Sequence, residues 1–73
     1  MKNAMMYFDG VAYSGTEEEL LEVLRPHRGE DRPVIVDYTE TTIWFHSAER
    51  AVRLLENRVA VDIAERAVEE VLA

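Results

Sequence analysis

The sequence predicts a small α+β domain, two antiparallel hairpins with helices packed on them, in the order ββαββα(β)α. Three observations carry that expectation. Asp9-Gly10 joins two alternating apolar runs, Thr16 and Glu19 open a leucine-rich stretch, and a second alternating pair between Val34 and Phe45 leads into Ser47 and further apolar periodicity. The runner-up is a ferredoxin-like βαββαβ arrangement, with residues 59–63 as its last strand and the first hairpin fused into one bent strand.

The first hairpin rests on its turn. A type I′ turn needs positive φ at both central positions, which Asp-Gly tolerates. It sets Phe8 opposite Val11, Tyr7 opposite Ala12 and Met6 opposite Tyr13. Alternation then places Met6, Phe8, Val11 and Tyr13 on one face, and Met5, Tyr7 and Ala12 on the other.

A capping box predicts the first helix: the Thr16 hydroxyl takes one orphan N–H while the Glu19 carboxylate reaches back to another. Glu17 and Glu18 stand in the first turn, where the helix dipole favours negative charge. Leu20, Leu21, Val23 and Leu24 form the apolar stripe, and Pro26 stops the helix.

The second hairpin pairs Val36 with Ile43, Ile35 with Trp44 and Val34 with Phe45 around a short loop at Thr39-Glu40. Val34, Val36, Ile43 and Phe45 share one face; Ile35 and Trp44 lie on the other, beside Asp37 and Thr42. Ser47 then caps a second helix. At 100° per residue, Ala48, Val52, Leu55, Val59 and Ile63 share a side, whereas Ala64, Val68, Val71 and Leu72 gather opposite. That jump predicts a break near residues 59–63, with Asn57 ending one helix and Asp62 with Glu65 capping a third. At an offset of 31, Thr16, Leu21 and Leu24 meet Ser47, Val52 and Leu55, a weak echo of one hairpin–helix unit in the other.

Seventy-three residues make one domain, spanning 1–73, and bury only about 60% of the unfolded surface, so a partner chain is a natural staple. The sequence has no cysteine, which removes disulfides and thiolate zinc sites, and its two histidines cannot build a metal site alone. No cofactor is implied. Apolar runs are too short for a membrane span, and a cytoplasmic location is the default expectation. Fifteen acidic against eight basic residues leave a net charge of −7. That charge disfavours direct binding to nucleic acid or anionic membranes and favours a protein partner with a basic surface.

Candidate chemistry is sparse. Asp37, His46 and Ser47 suggest a triad on paper, but adjacent side chains diverge, and Ser47 has a capping role. The segment from Arg25 to Arg32 lacks the glycine-rich loop and helix N-terminus of a phosphate cradle, so exposed ion pairs are its simpler reading. Glu17, Glu18 and Glu22 read either as a solvated helix face or as the acidic part of a docking surface. Ile35 and Trp44 read either as a core covered by the last helix or as an exposed interface patch.

The expected function is a non-catalytic acidic binding module. It would be a small inhibitor or regulator docking on a basic surface of a nucleic-acid-handling protein, by analogy of size and charge with phage anti-defence proteins. The alternative is a homodimer or larger homo-oligomer serving as an accessory subunit. A small-ligand binder or enzyme has no motif behind it.

Overall fold

A computed structural model describes the backbone of residues 2–72 and the side chains of residues 2–70. It contains β1 (Asn3–Phe8), β2 (Val11–Thr16), α1 (Glu17–Leu24), a 3-10 turn (Arg25–His27), β3 (Val34–Asp37), β4 (Thr42–Phe45) and α2 (Ala48–Leu72). The four strands form one antiparallel sheet in the order β2-β1-β3-β4.

The first hairpin has the expected register, from Phe8 against Val11 to Asn3 against Thr16. Asp9 and Gly10 both take positive φ, 53° and 76°. Nothing lies within 4 Å of where a Gly10 side chain would start, so the glycine is needed for its backbone angle alone. Gly10→Val is therefore expected to cost about 1 kcal/mol or more through strain in the left-handed region. Denaturant titration checks this, and an unchanged midpoint would show that the turn relaxes to another form.

The capping box is formed. The Thr16 backbone N–H donates to Glu19 Oε1 at 3.0 Å, and the Glu19 N–H donates to Thr16 Oγ1 at 3.2 Å. The Thr16 N–H, and then its hydroxyl, hold the Glu19 carboxyl below its ordinary value of 4.5. After Leu24 the chain tightens into the turn containing Pro26, as a missing N–H dictates.

The second hairpin also keeps its register, from Val34 against Phe45 to Asp37 against Thr42. Its loop is closed by the Tyr38 N–H donating to the Thr41 carbonyl at 2.8 Å. The two hairpins join through β1 and β3, with Met6 opposite Val36 and Tyr7 opposite Ile35.

Both helices lie on one side of this sheet. Met6, Phe8, Val34 and Val36 point toward them and are buried with Leu20, Leu21 and Leu24 of α1 and Ala48, Ala51, Val52 and Leu55 of α2. The core is a single two-layer sandwich.

Two expectations are corrected. The chain has no break in α2: residues 59–63 are helical, which removes both the third capped helix and the ferredoxin-like alternative. Asp62 pairs instead with Arg66 one turn on, Nη2 to Oδ2 at 3.3 Å. The stripe jumps because the core ends, not because the helix does. Among the described residues Val59 is the last of α2 packed on the core, and from Ala60 to Val68 the apolar residues are exposed. Ile63, expected on the core side, is 52% exposed. The side chains of Val71 and Leu72 lie outside the described residues.

Candidate functional site

The side of the sheet opposite the helices is open. The registers line up Ala12, Tyr7, Ile35 and Trp44 in one row crossing all four strands. Beside it runs a second row of Ser14, Met5, Asp37 and Thr42, in which the Thr42 hydroxyl donates to Asp37 Oδ1 at 2.9 Å. Trp44 is 72% exposed, Tyr7 41% and Met5 39%. Among the described residues no helix returns over this face, and Trp44 lies outside the core. A shallow cleft of about 490 Å³ continues the patch along Pro33 toward the Asp9-Gly10 turn. At its rim Arg32 bonds Asp9 at 3.0 Å and Glu30 at 3.2 Å, which leaves little free positive charge there.

The acidic residues divide. Glu18 and Glu22 are exposed on α1, in the layer behind the sheet from Trp44. The fold therefore does not bring them together with Ile35 and Trp44 on one surface. Glu17 departs from the expected solvated face altogether, being only 3% exposed. One of its carboxylate oxygens, Oε2, accepts from the Tyr38 hydroxyl at 2.7 Å and also from Arg58 Nε. Its backbone N–H donates to the Lys2 carbonyl at 3.0 Å. Arg58 also lies over the Tyr38 ring, 5.1 Å from its centroid. Burial, and then the bond to Glu17, push the Tyr38 phenol above its ordinary value, and Arg58's own bond to Glu17 raises the guanidinium. Glu17 is thus a structural hub joining α1, the end of β3 and the middle of α2.

The triad is excluded by strand direction. Asp37 lies at the Thr42 end of the second hairpin, while His46 follows Phe45 at the other end, four residues or about 13 Å away. Ser47 Oγ accepts from the Arg50 N–H at 3.4 Å, the capping role its position suggested. The Arg25–Arg32 segment is held by pairs: His27 Nδ1 with Glu30 at 2.7 Å, and Arg28 with Glu49 at 3.7 Å and Glu56 at 3.4 Å.

A second cleft, of about 510 Å³, lies beside the hub, lined by Lys2, Glu17, Asn57, Arg58, Val61, Asp62 and Glu65. Its lining holds no hydroxyl, thiol or imidazole. Among the described residues no three His, Asp or Glu side chains are grouped to hold a metal ion. Nor is any helix there long and apolar enough to cross a membrane.

No family model matches the chain, and neither the curated proteins nor the solved structures yield a match. The surfaces themselves must carry the functional reading. Sequence reasoning had Ile35 and Trp44 on the right face. It missed Arg58 and Tyr38, whose 20-residue separation along the chain left no local signal, and it had Glu17 in the wrong environment.

Proposed function

We propose that this chain is a non-catalytic protein-binding module that docks through the open face of its sheet. The supporting observation is the row Tyr7, Ile35 and Trp44, an apolar strip set on rigid strands with no cover of its own. Tryptophan and tyrosine are the side chains that most often dominate interfaces, because they bury large area with few torsions to immobilise. The net charge of −7 adds long-range attraction to a basic partner surface. Glu18 and Glu22 contribute to that steering from the helix layer rather than through contact.

Aromatic residues on an open sheet also stack on bases in some RNA-binding modules. Among the described residues the face presents no unpaired cation, Arg32 at its rim being paired with Asp9 and Glu30, and the overall charge repels phosphates. The partner class that fits is a protein with a basic surface, such as a nucleic-acid-handling protein whose phosphate-binding surface an acidic inhibitor or regulator would occupy.

The test uses tagged wild type, Trp44→Ala, and Glu18→Lys with Glu22→Lys as baits in extracts of the native host. Trp44→Ala is expected to lose the captured partner, weakening association by about 2 kcal/mol or more. Its denaturant midpoint should stay within about 0.5 kcal/mol of wild type, since the ring lies outside the core. The double lysine variant should slow association and flatten its salt dependence. Full retention of the partner by Trp44→Ala would overturn the reading.

A further inference from the structure

We propose that the outer side of the C-terminal half of α2 pairs with the same side of a second copy of this chain, as a short antiparallel helix seam. This surface is separate from the open face of the sheet, so the inference stands or falls independently of the docking reading above.

Two apolar stripes share α2. Ala48, Ala51, Val52, Leu55 and Val59 face the core. Beyond them Ala60, Val61, Ala64, Ala67 and Val68 form a second stripe, roughly 160° around the helix at about 100° per residue. Asp62, Arg66, Glu69 and Glu70, with Ile63 at the edge, occupy the side that would have continued the core stripe. A helical extension built only for solvent would not place valines together at 49% and 57% exposure, as at Val61 and Val68. β-branched residues also lower helix propensity, so helix stability does not account for them. The chain's own Lys2 and Glu17 reach this stripe only at its Val61 edge, across the cleft beside the hub, and leave Ala64 and Val68 uncovered.

Its spacing and its charges say what does. Asn57, Val61, Ala64 and Val68 recur at intervals of four, three and four, the alternation of a helix-pairing seam. Arg58 and Glu65 stand on one flank of that seam, one heptad apart. An antiparallel pair centred between residues 61 and 64 packs Val61 of each copy on Ala64 of the other. It also sets Arg58 of each copy facing Glu65 of the other, a complementary contact made twice by the two-fold axis. Arg58 is 36% exposed beside its bond to Glu17, so its remaining N–H groups are available. On the other flank Ala60 meets Ala67, which lets the helix axes approach closely. A parallel pair would instead bring Arg53 against Arg58 and align the two helix dipoles unfavourably. The occupant that satisfies both spacing and charge is a second copy. The seam is short of a standard interface, so the dissociation constant is expected on the order of 10–100 μM.

Sedimentation equilibrium of the full chain from about 5 to 500 μM tests the pairing. Wild type should pass from monomer to dimer, and Val61→Glu with Val68→Glu should weaken dimerisation at least tenfold. Both substituted side chains are exposed, so the denaturant midpoint at low concentration should not change. Trp44→Ala should dimerise as wild type does. A wild type monomeric throughout, or a dimer lost in Trp44→Ala and kept in the double glutamate variant, would overturn the proposal. Because the chain has no cysteine, orientation can be read by cross-linking. Val61→Cys mixed with Ala64→Cys should form a disulfide-linked heterodimer. Val68→Cys should not cross-link to itself, its two copies lying about 16 Å apart. Efficient self-linking of Val68→Cys would overturn the antiparallel arrangement.

Discussion

Glu17→Ala is expected to destabilise the fold by about 2–4 kcal/mol, more than any surface substitution in the molecule. Two groups lose their partner at once, the Tyr38 hydroxyl and Arg58 Nε, and the space the carboxylate fills between them is left empty. Tyr38 is 6% exposed, so water does not readily replace the acceptor. Arg58 is more accessible and recovers part of its loss by turning outward, which keeps the figure below that of a fully buried pair. Glu17→Gln separates the contributions. It retains an acceptor oxygen for Tyr38 and removes only the charge, so its loss should be clearly smaller. Urea titrations of the two variants check the order. Equal effects would mean that charge alone matters, and no effect from Glu17→Ala would mean that the hub is incidental to stability.

Leu55→Ala and Val68→Ala should behave oppositely although they lie on one helix. Leu55 is fully buried against the sheet and α1, and truncating such a leucine costs about 2–5 kcal/mol in transfer and cavity energy. Val68 is 57% exposed, so at concentrations below the dimer range its truncation should change stability by less than about 0.5 kcal/mol. Matched denaturant titrations at low protein concentration provide the comparison. Similar losses at both positions would place the second half of α2 inside the cooperative core.

The hairpins were legible because their determinants are local. Asp9-Gly10 sets one register, strict alternation sets the other, and the caps at Thr16 and Ser47 mark where each helix begins. The offset of 31 survives where physics repeats, since Leu21 and Leu24 are buried as Val52 and Leu55 are. It fails in the strands: Tyr13 leans toward the helices, whereas its counterpart Trp44 faces outward, one step out of phase. The continuity of α2 was not legible, because a stripe that changes sides looks the same whether the helix stops or merely outruns its core. Glu17 was misjudged for a related reason. A glutamate in a first helical turn usually serves the dipole in water, and only the long-range arrival of Tyr38 and Arg58 makes this one internal.

The strand order has a kinetic consequence. Each hairpin with its following helix assembles from near neighbours in the chain, events that take microseconds in comparable segments. Among the strand pairings, only that of β1 with β3 joins residues some thirty positions apart, as in Met6 with Val36, and α1 packs on α2 across a similar separation. That closure carries most of the loop entropy and is expected to sit at the folding barrier. Trimming Met6 or Val36 should therefore slow folding, whereas trimming the Asp9-Gly10 hairpin tip should chiefly speed unfolding.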